Sequence, residues 1–463
     1  MVLHGRTASG AFAAEDRRLR GSAASFFHPS RCVRAAPSWQ GSGGDWHAPG
    51  GEATFLWQVL SERLAAGTPR EGILFFGFDD ERLVGLTAAD LGLLVEEYYR
   101  LHPEWRSGRR APFLLDEIQL VEGWERFARR VLDTENLDLY VSGSSARMLS
   151  REVASSMRGR AVEAVVFPFS FCEFLRHRGR EVENPERVTK AERSLLRREL
   201  ETYLEVGGFP EAQGASARDR VELLRSYVDL VLLRDVVERY QISQPLALRS
   251  LTRHLLANAG GLFSVHRFYN DLRSRGVRIA KDSLHTYLGH LEDAFLVHSV
   301  WLATDSERRR MSNPRKVYPA DPGLIPVFDR SGRLQPSKAL ETAVCIELLR
   351  QGGTVSYVRT REGFEVDFLV RWPEGGEELI QVCAEGGEPG TSEREVRALL
   401  SAAEDHPDAL CSVVTPAPET FRQIPPQIRV HEASLWFLQR ERGTLKAPTA
   451  GKPSKRRGRS AGK

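Results

Sequence analysis

Phe113-Leu114-Leu115-Asp116-Glu117 decides how the rest of this chain is read. The apolar residues bury a short strand, and the strand runs out into two adjacent acids. This is a Walker B pattern. The last strand position presents a carboxylate to Mg²⁺, and the next Glu can polarise the water that attacks a γ-phosphate. Apolar runs ending in Asp-Glu also close ordinary strands, so the neighbouring sequence has to supply the context.

Upstream, Gly72 to Phe78 reads as a buried strand closed by Asp79 and Asp80. Before it, Thr54 to Ala66 places Phe55, Leu56, Val59, Leu60 and Leu64 at helical spacing, and Gly67-Thr68-Pro69 ends the run. A helix is expected from about Ala88 to Arg100 and another from Trp124 to Leu132. Leu137 to Val141 is a strand that ends in Ser142-Gly143-Ser144-Ser145. Strands alternating with helices indicate a parallel α/β sheet, whose ligands sit at the carboxyl ends of the strands. The acids and serines fall there. Ser142 stands 26 residues after Asp116 (142 − 116), and its hydroxyl, or that of Ser144, can hold an attacking water. Arg158 or Arg160, in the loop beyond, can meet transition-state charge in cis or from a neighbouring subunit. The plainer readings are a small-residue turn and a solvated basic turn.

The 463 residues call for two to four domains at roughly 100–200 residues each. A composition of 41% hydrophobic and 27% charged residues excludes a wholly disordered chain and a collagen-like fibre. No run approaches the roughly 18 apolar residues of a spanning helix, and no secretory h-region is expected. Net charge is +3, but Lys446–Lys463 carries seven basic residues and no acid, which leaves 3 − 7 = −4 for the rest. Only this tail favours a nucleic-acid partner on charge. The five cysteines form no C-x-x-C pair, so they read as small hydrophobes in a reduced cytoplasm.

Asn184 to about Pro245 is mostly helical, broken at Gly207-Gly208-Phe209-Pro210. Leu246–Ala259, Val265–Ser274 and Lys281–Ala294 are helical runs followed by a strand, Phe295–Val300. Three helices and a β wing make a winged-helix pattern. Its third helix offers Lys281, Ser283, His285 and His290 to DNA, although Glu292 and Asp293 would repel phosphate; packing alone is the other reading. A helix from about Lys338 to Gln351 opens a last domain with strands Val355–Arg359, Glu365–Val370 and Leu379–Cys383, then a helix Glu393–Ala403. A nuclease would need a Glu, an Asp and an acid-x-Lys on adjacent strands. Glu341 or Glu347, Asp367 and Gln381-Val382-Cys383 sit at comparable places, with Cys383 where Lys is needed. An inactive nuclease fold is expected, with Glu365 and Asp367 on one strand face.

FLLDEIQ (Phe113–Gln119), LYVSGSSARML (Leu139–Leu149) and RGRAVEAVVFPFSFCEFL (Arg158–Leu175) together resemble a large prokaryotic family of AAA-type ATP-binding proteins. Those proteins carry a C-terminal domain of unknown function with a restriction-nuclease-like fold. GGFPE (Gly207–Glu211) and LIQVCAE (Leu379–Glu385) fit the same family. The resemblance covers Thr54 to roughly Leu438. It implies an α/β, P-loop NTPase-like parallel sheet with a helical lid, then a winged helix and a small α/β nuclease-like domain. The expected bounds are an unpatterned stretch over 1–53, disordered or mistranslated, the ATPase core over 54–183, the lid over 184–245, the winged helix over 246–335, the nuclease-like domain over 336–440 and a disordered basic tail over 441–463. ATP and Mg²⁺ are the implied cofactors, Asp116 the metal ligand, Glu117 the base, Ser142 or Ser144 the sensor and Arg160 or Arg158 the finger. DNA and a second copy of the chain are the implied partners, with no membrane.

One motif departs. Setting G-x-x-x-x-G-K-[ST] on Trp46–Ala53 gives W-H-A-P-G-G-E-A. Gly51 matches and Gly50 precedes it, but Glu52 replaces the phosphate-binding Lys and Ala53 the Mg²⁺-binding hydroxyl. Thr54 supplies that hydroxyl only if the register slips by one. An anion in place of a cation beside polyphosphate reverses a term of about 4 kcal/mol per unit-charge pair at about 4 Å. ATP binding by the chain as written is expected to be weak or absent. Either the P-loop was lost or residues 1–53 are translated out of frame. The alternative function is a non-catalytic winged-helix protein that binds DNA or another protein and keeps a degenerate nucleotide site.

Overall fold

The computed structural model describes residues 2–4, 51–143, 161–384, 391–422, 424–441 and 443. The chain divides into two compact units, Met1–Phe167 with Val231–Gln241 and Asp293–Phe295, and Pro168–Leu230 with Ile242–Glu292 and Leu296–Lys463. Among the described residues no helix is long and apolar enough to cross a membrane. The described cysteines, Cys172, Cys345, Cys383 and Cys411, are buried and form no disulfide.

The first unit holds a five-stranded sheet of β1 (Val2–His4), β2 (Leu74–Gly77), β3 (Ala111–Asp116), β4 (Leu137–Val141) and β5 (Ala161–Glu163), in the order β2-β3-β4-β1-β5. β2, β3 and β4 are parallel, with Gly77 opposite Asp116 and Leu115 opposite Val141. The three helices that matter here are α1 (Gly51–Ala65), α2 (Ala88–Leu101) and α3 (Trp124–Thr134). β3 is buried from Ala111 to Leu115 because helices cover both faces, which is why it reads as an unbroken apolar run. Its side chains alternate between two cores. Phe113 and Leu115 join Leu91 and Val95 of α2 and Phe127 and Val131 of α3. Leu114 joins Leu56 and Val59 of α1. Thr87 and Asp90 close a capping box that starts α2.

The structure departs from the sequence reading at the N-terminus. Val2–His4, in a stretch read as unpatterned, pairs antiparallel with both β4 and β5. Three residues cannot display a period, and this strand owes its form to the two neighbours it bonds. α1 opens at Gly51 rather than Thr54.

The second unit holds an eight-stranded sheet whose strands lie in the order Ile428–Glu432, Leu410–Thr415, Glu377–Val382, Glu365–Arg371, Thr354–Arg359, Val297–Leu302, Arg315–Pro319 and Leu262–Phe263. After α4 (Lys190–Val206) and α5 (Ala217–Leu230) come α6 (Pro245–Ala257), β6 (Leu262–Phe263), α7 (Val265–Ser274), α8 (Lys281–Asp293), β7 (Val297–Leu302) and β8 (Arg315–Pro319). β8 pairs antiparallel with both β6 and β7. The rest are α9 (Pro336–Arg350), β9 (Thr354–Arg359), β10 (Glu365–Arg371), β11 (Glu377–Val382), α10 (Thr391–Asp405), β12 (Leu410–Thr415), β13 (Ile428–Glu432) and α11 (Ala433–Glu441). β7 pairs in parallel with β9, Trp301 opposite Ser356, so one sheet runs through both stretches. α9 is buried on most of its surface, from Ala339 to Leu348, which removes the amphipathic signature of a surface helix. The register between β9 and β10 shifts between Val366 and Leu369, a bulge that re-aims Asp367.

Candidate functional site

The carboxyl ends of β2, β3 and β4 carry the acids. Asp116 is the last residue of β3, and Ser142 follows β4 with no exposed surface. The Ser142 hydroxyl donates to Asp116 Oδ1 and accepts the Glu117 N–H at 3.3 Å. The backbone continues the ladder, Ser142 N–H donating to Leu115 O at 3.0 Å and Ile118 N–H to Ser142 O at 3.2 Å. Thus the hydroxyl proposed as a sensor binds both Walker B positions. Glu117 sits in the left-handed region at φ 54° and ψ 38°, and its Oε2 accepts the Gln119 side-chain amide.

The charges are one-sided. Burial pushes the Asp116 carboxyl above its usual range; the Ser142 hydroxyl pulls it down, and Asp79 pushes it up again. Burial also raises Glu117, opposed by the Gln119 amide and reinforced by Asp116, Asp235 and Asp79. Asp235, from the π-helical segment Val231–Glu238 of the same unit, is itself raised by burial. Among the described residues, no basic side chain figures in the groups that shift Asp116 or Glu117.

α1 is aimed at this edge. In its last turn Arg63 pairs with Asp138 of β4 at 3.5 Å and donates to Tyr140, while Leu56 packs with Leu114. These contacts run the helix antiparallel to the strands, with its N-terminus directed toward their carboxyl ends. A helix N-terminus there offers backbone N–H groups and a positive dipole end to an anion. Gly51 opens the helix and Thr54 is exposed on its first turn. Gly50, Ser144, Arg158 and Arg160 lie outside the described residues, as does the basic tail.

A second charged cluster lies in the second unit. Lys316 of β8, with only 3% of its surface exposed, places Nζ 3.0 Å from Glu341 Oε1, 2.8 Å from Glu365 Oε1 and 2.8 Å from Asp367 Oδ1. Tyr318 donates to the same Glu341 oxygen at 2.6 Å. Asp367 Oδ2 accepts the Val382 N–H at 3.0 Å, and Gln381 Oε1 accepts the Asp367 N–H at 3.2 Å. The structure thus gathers Glu341, Glu365, Asp367 and Gln381. Glu347 belongs elsewhere, bonded to Gln351 at 2.6 Å and paired with Arg350 at 3.3 Å. Sequence reading missed Lys316, which supplies from β8 the ammonium sought at Cys383. The available signal was a Lys directly before the apolar run Val317-Tyr318-Pro319. Among the described residues no three His, Cys, Asp or Glu side chains are arranged to hold a metal ion.

Residues 50–175 match an AAA domain family, and residues 197–332 match a domain of unknown function, DUF8612. The Walker-type ATPase PABY2304 of Pyrococcus abyssi covers 60% of this chain and 87% of its own at 15% identity, with a TM-score of 0.37, too low to bear on fold or function. An uncharacterized protein of Haemophilus influenzae is 29% identical over 322 residues, 69% of this chain and 77% of that one. The uncharacterized protein MJ1544 of Methanocaldococcus jannaschii is 30% identical over 364 residues, 77% of either chain. The chain carries an AAA domain and belongs to the same protein family as MJ1544.

Proposed function

We propose that the first unit is a nucleotide site of the AAA type that binds ATP with Mg²⁺ and hydrolyses it. The observation that carries this is the Asp116–Ser142–Glu117 network at the strand ends. The donor set fits a hard dication, since it offers two partly buried carboxyls and a hydroxyl, all oxygen donors. Bound Mg²⁺ would neutralise charge on the phosphate oxygens. Asp116 would hold the metal, oriented by the Ser142 hydroxyl. Glu117 takes the proton of the attacking water, and its raised affinity for protons suits a base. Arg158 or Arg160 would meet developing charge. Glu52 at the P-loop Lys position opposes phosphate, whether by loss of the motif or by a shifted reading frame over residues 1–53. Fluorescent ATP titrated into the chain as written and into Glu52→Lys tests this: tighter binding by the variant is expected, and absence of binding by both refutes the reading.

A second reading concerns residues 246–335 as a winged helix that contacts DNA. Exposed Lys281 and His285 lie near Arg315, since both cations lower the His285 pKa after burial does. Glu292, expected to repel phosphate, is instead 3.8 Å from Arg315. Duplex binding whose affinity falls steeply with salt supports this; salt-independent or absent binding sinks it. We read 184–245 as a lid and 336–440 as a nuclease-like fold whose carboxylates are taken up by Lys316 and do no cleavage. Assembly of copies, as an arginine finger in trans needs, and a cytoplasmic location complete the proposal.

A further inference from the structure

Gln119 has no part in the reaction proposed above, yet its amide donates to Glu117 Oε2. Local backbone geometry makes this contact. Glu117 adopts the left-handed conformation, which costs a non-glycine residue about 1–2 kcal/mol. The 3₁₀ turn Ile118–Leu120 that follows is fastened at both ends. Ile118 N–H donates to Ser142 O at 3.2 Å, and Leu120 N–H donates to Glu117 O at 3.1 Å. With the turn fixed, Gln119 doubles back over the residue two places before it. A carboxylate oxygen that accepts an amide N–H has less to offer a water proton, and a base must lie about 2.6–3.2 Å from the proton it takes.

We propose that Gln119 is a positioning residue that pins the Glu117 carboxylate in one rotamer and restrains it as a base. This rests on the reading of Glu117 as the base of an ATP site. Until the amide lets go, Glu117 is turned along its own chain. The restraint is local: the amide holds Glu117 Oε2, and a water that approaches this oxygen must displace it.

The test is made on the full chain, with glutamate side chains ¹³C-labelled and the Glu117 signal assigned by its loss in Glu117→Gln. Side-chain order at Glu117 Cγ is compared in the wild type, Gln119→Leu and Gln119→Asn, whose amide is one methylene too short. A rigid Cγ in the wild type that becomes mobile in both variants is expected, with backbone signals of Ile118 and Ser142 unmoved. A mobile Cγ in the wild type, or an equally rigid one in the variants, overturns the proposal whether or not ATP is hydrolysed. In a Glu52→Lys background, Gln119→Leu should raise kcat for ATP about tenfold at constant KM. A kcat unchanged or lowered while Cγ is released overturns the restraint. Absence of turnover in all these proteins refutes the ATPase reading, and the Cγ measurement alone then decides the pin.

Discussion

Replacing Lys316 with Met keeps most of the aliphatic stem and removes the ammonium on which three carboxylates converge. Glu341, Glu365 and Asp367 would face one another with no cation at 2.8–3.0 Å. The wild-type site already shows that load. Burial first, then Asp367, pushes Glu341 up to about 7, while the same carboxylates hold the Lys316 ammonium charged well above its usual range. One ammonium cannot satisfy three ionised partners, so one carboxyl retains a proton near neutrality. Breaking a buried ion pair from one side costs about 3–5 kcal/mol. The lower end applies here, because the Glu365 side chain is 34% exposed and the variant can take up protons. A loss of about 3 kcal/mol corresponds to roughly 5 °C in Tm for a unit this large. Urea unfolding followed by the fluorescence of Trp372 and Trp436, both buried in the same unit, reads the change. Adding Glu341→Gln to the variant should recover part of the loss, since it removes one of the facing charges. A midpoint shift worth less than about 1 kcal/mol at unchanged m would show that the cluster is solvated and that the pairing contributes little.

Other outcomes follow from the same kind of accounting. Asp321 is fully buried, accepts the Gly208 N–H at 2.6 Å and the Gly323 N–H at 2.8 Å, and is pushed up to about 7 by burial. Its native pKa lies above the unfolded value of about 3.9, so its contribution is complete below about pH 4 and is lost as pH rises to 7. Unfolding free energy of the second unit should fall by up to roughly 4 kcal/mol over that window. Asp321→Asn should flatten the slope; an unchanged pH profile would contradict the assignment. Ser142→Ala removes a hydroxyl bonded to Asp116 and the Glu117 N–H from a residue with no exposed surface. It should cost about 1–3 kcal/mol in thermal unfolding of the first unit. No loss would mean that water replaces the hydroxyl.

What could be read from the sequence follows burial. β3, α3 and β4 were legible because a strand covered on both faces is a plain apolar run and α3 buries Trp124, Phe127, Val131 and Leu132 at helical spacing. α6, α7 and α8 lie within two residues of their expected bounds for the same reason. Val2–His4 was not legible, being a strand only through its neighbours. β12 and β13 were not singled out, although β12 takes its register from parallel pairing with β11 and β13 from parallel pairing with β12. The proximity of Asp116, Glu117 and Ser142 is legible from spacing, since the strands that lead to them are adjacent. Asp235 was not, because a separate segment brings it in. Lys316 was sought at the wrong place: it reaches Glu341 across 25 residues and Asp367 across 51, distances over which no local pattern operates.

The central claim is that the edge of the first sheet takes a magnesium-bound triphosphate. Equilibrium binding of fluorescent ATP, with and without Mg²⁺, to the wild type, Glu52→Lys and Glu52→Lys/Asp116→Asn tests it most directly. The account predicts weak binding by the wild type and binding at least tenfold tighter by Glu52→Lys, a gain that depends on Mg²⁺ and disappears when Asp116 is also replaced. Affinity that is the same for all three proteins and indifferent to Mg²⁺ would contradict it.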